Sequence, residues 1–278
     1  MPEHPLPITG TTRTAIVIGD PVRHSLSPQI HNAAFAALGL DWRYLAMPVR
    51  PGEGAAALRA MRTLGIDGCS VTMPHKAVAA ETVDSLMPAA RALGSVNCVR
   101  REGNALVGDS TDGIGFVRAL ESAIGRSIAD ATIGILGAGG AARSIIDAVA
   151  RAGVARITVS NRSVDGAERA AAIASIATVG DAKEVAAADI LVNTTSVGMA
   201  GGPDPDGCPI DPEQLRAGQV VADIVYQPRQ TRLLAAAIDR DAVAVGGVGM
   251  LVHQAAVAFE WWTGETAPLD VMTNIVER

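Results

Sequence analysis

Lysine is almost absent from this chain: of 23 basic residues only Lys76 and Lys183 are lysines, and the other 21 are arginines. One of the two, Lys76, closes the segment Gly68-Cys-Ser70-Val-Thr72-Met-Pro-His-Lys76, which also carries two hydroxyls. Downstream, Ser95-Val-Asn97 and Gly108-Asp-Ser-Thr111-Asp112-Gly113 add an amide and a carboxylate at strand or loop ends. Hydride addition to a ketone leaves a developing alkoxide, which needs a positive donor able to give up a proton, and a lysine does this. A neighbouring carboxylate can orient the ammonium and bind a substrate hydroxyl, so Lys76 and Asp112 are candidates for an acid–base pair. A structural ion pair is the plainer alternative. The loop Gly19-Asp-Pro-Val-Arg-His-Ser25-Leu-Ser27-Pro28 presents two more hydroxyls at a helix start, with Ser27 as expected N-cap and Pro28 as first helical residue. Free N–H groups and a hydroxyl there make a seat for a small carboxylate, and a simple capped turn is the alternative.

The second half opens on a different chemistry. Thr132–Leu136 reads as a short buried strand, followed at once by Gly137-Ala138-Gly139-Gly140-Ala141-Ala142 and a helical run to Ala150. This is GxGxxA in a strand–turn–helix setting, the fingerprint of dinucleotide binding. Gly137 permits the tight turn, Gly139 lets the backbone approach a pyrophosphate, and Ala142 lets the helix lie close to the sheet. The next strand, Arg156–Ser160, ends in Asn161-Arg162-Ser163. An NAD site normally carries an acid at this strand end. A guanidinium suits a 2′-phosphate instead, which points to NADP; Asp165 close by leaves NAD use open.

These groups need elements to hold them. Runs rich in β-branched residues at Ala15–Ile18, Arg43–Met47, Gly68–Thr72, Val96–Arg101, Thr132–Leu136, Arg156–Ser160, Ile190–Val192, Val220–Ile224 and Ala242–Val245 alternate with alanine-rich helical stretches. That alternation predicts an α/β protein with largely parallel sheets. In the helix starting at Ser27, residues His31, Ala34, Phe35 and Leu38 form an expected core-facing stripe, ended by Gly39. A division falls near residue 112, and from Gly247 a helix runs to about Trp262, followed by a short terminal helix. The chain has 278 residues, 49% hydrophobic and 19% charged, with a net charge of −6. It can bury a large core, and the acidic balance argues against a nucleic-acid partner. The charge-free apolar runs Ala131–Ala142 and Ala242–Val252 cover 12 and 11 residues, short of the roughly 18 a membrane span needs. The N-terminus has no apolar signal core, so a cytoplasmic location is expected. Cys69, Cys98 and Cys208 read as buried reduced thiols, and no spacing of His, Cys or acids suggests a metal.

Taken in order, the segments GDPVRHSLSPQIHNAAF, SVTMPHK, GSVNCV, DSTDGIGF, GAGGAARS, NRS, NTTSVGM, DIVYQP and GMLVHQAAVAFEWW resemble the shikimate dehydrogenase family over nearly the whole chain. The resemblance implies an N-terminal α/β substrate-binding and catalytic domain (1–112) and a Rossmann-type NADP-binding domain (113–246). It also implies a C-terminal helical segment (247–278) returning to the first domain. It implies NADP-dependent interconversion of 3-dehydroshikimate and shikimate, with Lys76 and Asp112 catalytic and Lys76 transferring the proton. Ser25 and Ser27, helped by Tyr226, would hold the substrate carboxylate; Thr72, Asn97 and Gln254 would bind ring hydroxyls. Gly137, Ala138, Gly139, Gly140 and Ala141 would hold the pyrophosphate, and Asn161, Arg162 and Ser163 the 2′-phosphate. Thr194, Met199, Gly247 and Met250 would line the rest of the cofactor site.

Three positions depart from the family pattern. Ser70 stands where the family often has an asparagine touching substrate, Cys98 replaces a common threonine, and Gly166 replaces a second basic residue found in many NADP users. Relatives acting on quinate or aminoshikimate-type substrates, with NAD or mixed cofactor use, share most of these motifs. A silent dinucleotide- or shikimate-binding protein is the reading from another class, and it would have no use for a proton donor. His31 is expected to be partly buried and satisfied, and His24 and His75 to shape the loops beside Ser25 and Lys76. The expected assembly is a monomer or homodimer acting on small molecules.

Overall fold

The computed structural model describes residues 7–277; residues 1–6 and 278, which belong to the expected first and last segments, lie outside it. The chain forms two compact units, one made of the residues up to Thr111 together with those from Val252, the other of Asp112–Leu251. The first unit contains β1 (Arg13–Gly19), α1 (Ser27–Ala37), β2 (Trp42–Pro48), α2 (Gly54–Leu64), β3 (Gly68–Val71), α3 (Lys76–Thr82), β4 (Ser85–Leu86), α4 (Pro88–Leu93), β5 (Cys98–Glu102) and β6 (Ala105–Asp109). The second contains α5 (Asp112–Ile124), β7 (Thr132–Leu136), α6 (Gly140–Arg151), β8 (Arg156–Ser160), α7 (Val164–Ala171), β9 (Ala177–Val179), α8 (Ala182–Ala186), β10 (Ile190–Asn193), β11 (Val220–Asp223), α9 (Arg232–Asp239) and β12 (Val243–Val245). Helix α10 (Val248–Thr263) starts in the second unit and continues in the first, where α11 (Leu269–Glu277) also belongs.

The second unit is a Rossmann sheet. Its strands run in the order β12-β11-β10-β7-β8-β9, and every pair is parallel. Numbered within the unit, this is the doubly wound order 3-2-1-4-5-6, whose switch point lies between its first and fourth strands, β7 and β10. One face is filled by Ile133, Ile135, Val159, Ile145, Ile146, Val149, Phe116 and Leu120, the other by Leu136, Leu191, Val221, Val185 and Leu233. Continuous apolar strands follow from burial on both faces.

The first unit's sheet, β2-β1-β3-β5-β6-β4, is mixed. Its strands β1, β2 and β3 are parallel, as expected, but β5 is antiparallel to both neighbours. The cause is a hairpin: only Gly103 and Asn104 separate β5 from β6, and Gly103 has φ +60°. A two-residue connection with a left-handed glycine can only return the chain antiparallel. One face of the sheet packs Ile16, Ile18, Leu58, Met61, Val71 and Leu106. An aromatic group forms a second cluster: His31 and Phe35 of α1, Trp42 and Tyr44 of β2, and Phe259 and Trp262 of α10 are buried and in ring contact. Trp262 is seated by its indole N–H, which donates to the Val99 carbonyl at 3.0 Å.

Several sequence expectations change here. Leu38 is 41% exposed, because α1 ends at Ala37 and Leu38, at the C-cap, has left the core-facing stripe. Ser27 is the first helical residue and not the cap. Leu26 already has helical dihedrals (φ −80°, ψ −11°), which moves the closing hydroxyl to Ser25, whose Oγ accepts the Ser27 N–H at 3.3 Å. His31 is only 1% exposed, and its Nδ1 has no hydrogen-bond partner. Cys69 and Cys98 are buried, whereas Cys208 is half-buried.

Candidate active site

In the first unit, register carries the chemistry to one end of the sheet. Ile18 pairs with Val71, Ser70 with Cys98, and Cys98 with Asp109. The ends of β1, β3 and β6 and the start of β5 therefore lie side by side. Ser25 and Ser27 follow β1, Thr72 and Lys76 follow β3, Asn97 precedes β5, and Thr111 follows β6. Ligands of open α/β sheets bind beyond such strand ends.

Backbone bonds lock these loops together. Asp20 N–H donates to Met73 O at 3.0 Å, Thr72 N–H to Ile18 O at 3.0 Å, Val96 N–H to Lys76 O at 2.9 Å, and Val71 N–H to Asn97 O at 2.7 Å. Gly19 is glycine for a steric reason, since a methyl there would overlap the Thr72 side chain. Lys76 opens α3 and is half-buried. The residue before it, His75, is buried with Nε2 2.8 Å from the Val49 carbonyl, so its ring fixes the loop from which Lys76 projects. The expected loop-shaping role of His75 is what is found.

Asn97 is buried and committed on one side. Its Nδ2 donates to Thr111 Oγ1 at 3.0 Å, while its Oδ1 accepts the Thr111 N–H at 2.7 Å. The chain then passes directly into Asp112, the half-buried first residue of α5. Asn97 thus fixes the main chain one residue ahead of the candidate carboxylate. Gln254 is half-buried on the part of α10 that belongs to this unit.

In the second unit the glycine turn sits at the switch point. Gly137 has φ +106°, and a methyl on it would lie 2.6 Å from Thr194 Oγ1. Thr194, after β10, reaches across to β7: its N–H and Oγ1–H donate to Leu136 O at 2.9 and 2.7 Å. Gly139 and Gly140 are exposed with open space where side chains would be, and no side chain caps α6. The first turn of α6 therefore offers unsatisfied N–H groups to an anion. Ala138 and Ala141 flank them, half-buried.

Beyond β8, Arg162 and Ser163 are exposed. Asn161 Nδ2 donates to Ser163 O at 3.0 Å, and Ser163 Oγ caps α7 by accepting the Gly166 N–H at 3.2 Å. A methyl at Gly166 would come within 2.8 Å of Asn161 Nδ2, so a larger residue here would require the Asn161 amide to shift. Open glycines, an uncapped helix start and an outward guanidinium fit a phosphorylated dinucleotide.

Met199 and Tyr226 are exposed on the loops after β10 and β11. Gly247 is buried, with its α-carbon packed against the Ile224 carbonyl. Met250 packs against the core of this unit. Sequence reasoning missed the group that anchors both loops. Asp223, buried at the end of β11, accepts from Asn193 Nδ2 (3.0 Å), Val225 N–H (3.0 Å) and Thr231 Oγ1 (2.7 Å). Burial raises its carboxyl above the ordinary value, and these three donors oppose the rise. The signal was present in NTTSVGM and DIVYQP, each of which opens on a polar residue at the end of an apolar strand. Among the described residues, no group of three or more His, Cys or acidic side chains is placed to hold a metal, and no helix is long and apolar enough to cross a membrane.

Two family models match the chain: the shikimate dehydrogenase substrate binding domain over residues 17–99, and the shikimate 5′-dehydrogenase C-terminal domain over 247–277. The shikimate dehydrogenase (NADP(+)) of Moorella thermoacetica is 42% identical over 282 residues, covering 98% of this chain and 95% of the relative. The crystal structure of shikimate 5-dehydrogenase from Listeria monocytogenes, in complex with shikimate and NAD, has a TM-score of 0.91 at 36% identity, covering 97% of this chain and 98% of that one. The Thermus thermophilus enzyme, in complex with NADP(H) and shikimate, has a TM-score of 0.88 at 32% identity, covering 96% and 99%.

Proposed function

The chain belongs to the shikimate dehydrogenase family, and we propose that it catalyses the NADP-dependent, reversible reduction of 3-dehydroshikimate to shikimate on the way to the aromatic amino acids. The observation that carries this reading is Lys76, a rare lysine at the start of α3, held beside Asn97 and the loop hydroxyls at one end of the first sheet.

Each residue then has a task. Ser25 and Ser27 bind the substrate carboxylate, with Tyr226 assisting; Thr72, Asn97 and Gln254 bind ring hydroxyls. Lys76 Nζ gives a proton to the ketone oxygen as it becomes a hydroxyl, and takes it back in the reverse direction. Asp112 orients that ammonium. The main chain at Gly137, Ala138, Gly139, Gly140 and Ala141 holds the pyrophosphate at the uncapped start of α6. Arg162, with Asn161 and Ser163, holds the 2′-phosphate, while Thr194, Met199, Gly247 and Met250 line the remainder. When bound, NADP supplies or accepts the hydride. The same reading implies a cytoplasmic monomer or homodimer acting on small molecules.

Replacing the proton donor separates catalysis from binding. Lys76→Met is expected to lower turnover by at least about 10²-fold while dinucleotide affinity, measured by fluorescence titration, stays close to wild type. Turnover near wild type in that variant removes Lys76 from the mechanism.

A further inference from the structure

Tyr44 is unusual in this structure. Its side chain is 1% exposed, and its hydroxyl is buried without a partner at hydrogen-bonding geometry. A buried unsatisfied hydroxyl is costly, and a phenylalanine would fill the same space without that cost. The surroundings hold the ring still. It stacks on His31 with centroids 4.4 Å apart and planes 7° from parallel, and Trp262 lies 6.0 Å away. Asn32 clamps the Tyr44 main chain at both ends, donating to its carbonyl at 2.9 Å and accepting its N–H at 2.9 Å. Asn32 is on α1, the helix that Ser27 begins, so the phenol is fixed relative to that hydroxyl.

Register gives the direction in which it points. Tyr44 and Gly68 both pair with Ala15, and Ser70 pairs with Val17. Side chains two apart on a strand share a face, so Tyr44 and Ser70 lie on the same side of the sheet. Ser70 and Ser27 both favour the ionised form of the Tyr44 hydroxyl, against the larger opposing effect of burial. Ser70 and Ser27 are themselves half-buried.

We propose that Tyr44 is a positioning residue for the substrate acid, its one buried O–H orienting either the Ser27 or the Ser70 hydroxyl at a time outward toward the bound carboxylate or ring hydroxyl. A hydroxyl carries one donor and two acceptor sites. When the phenol donates to a serine oxygen, that serine's own proton turns away from the core and toward the ligand. The inference rests on the function proposed above for its ligand class, a polyhydroxy carboxylic acid.

The test is steady-state kinetics of Tyr44→Phe with whichever acid wild type turns over best from a panel of shikimate and quinate. If that acid is quinate, the proposed substrate is wrong, and Tyr44 is still tested. The expected result is a KM for the acid raised about 3- to 10-fold, with kcat within about twofold and the dinucleotide KM unchanged. Tm should stay close to wild type, since phenylalanine fills the same space and the ring stacking on His31 is kept. In a double-mutant cycle, Ser70→Ala should cost less affinity in the Tyr44→Phe background than in wild type. An unchanged acid KM, strictly additive effects, or a lowered Tm with kcat and both KM values worsening together would overturn the proposal.

Discussion

Arg162 stands exposed beyond β8, where an NAD-reading strand would carry an acid. If it pairs with the 2′-phosphate, Arg162→Ala should raise the KM for NADP about 10-fold or more and leave the KM for NAD within about twofold. Equal changes for the two cofactors would mean the guanidinium does not read that phosphate. Most of the candidate groups were legible because they fall in contiguous segments: Ser70, Thr72 and Lys76 in one, Asn97 in another, Gly137 to Ala141 in a third. Less legible were roles that depend on a partner far along the chain. The commitment of Asn97 to Thr111 and the hydrogen bonds of Asn193 and Thr231 to Asp223 join residues 8 to 30 positions apart. Ser27 was misread as a cap by one residue, since the serine spacing allows either hydroxyl to close the turn and only the helical dihedrals of Leu26 decide between them.

Among elements, the parallel Rossmann sheet was the readable part. Its central strands β7, β10 and β11 are buried on both faces and announce themselves as uninterrupted apolar runs, whereas the short, largely exposed edge strand β9 was not read. The mixed sheet was harder. Strand β6, Ala105–Asp109, alternates three half-buried residues with two buried ones and lies two residues from β5, so it does not stand apart as a run. Nor does periodicity say what the C-terminal helix packs on, which is settled by shape. Gly68 at the start of β3 leaves room for the Trp262 ring, and an added methyl there would lie 2.7 Å from it. The indole cannot retreat easily because its N–H is bound to Val99 O. Gly68→Ala is therefore expected to destabilise the protein by about 1–3 kcal/mol, read as a lower denaturant midpoint at unchanged slope. An unaltered midpoint would show that α10 yields at this contact.

For the molecule as a whole, a buried imidazole sets part of the response to acid. Burial lowers the His31 pKa from 6.5 to about 3. The unfolded chain takes up that proton near the ordinary value, so between those two pKa values unfolding binds a proton and stability rises with pH. The contribution is complete above the unfolded value and is lost as pH falls toward the folded one. His31→Phe should make the slope of unfolding free energy against pH in this window shallower by up to about one proton; an identical slope in the two proteins would place the acid sensitivity elsewhere. The function claimed for the assembled molecule is tested most directly by specificity constants for shikimate and quinate, each with NADP and NAD, followed by the absorbance of the reduced nicotinamide. The highest kcat/KM is expected for shikimate with NADP. A higher value for quinate with NAD would contradict the assignment.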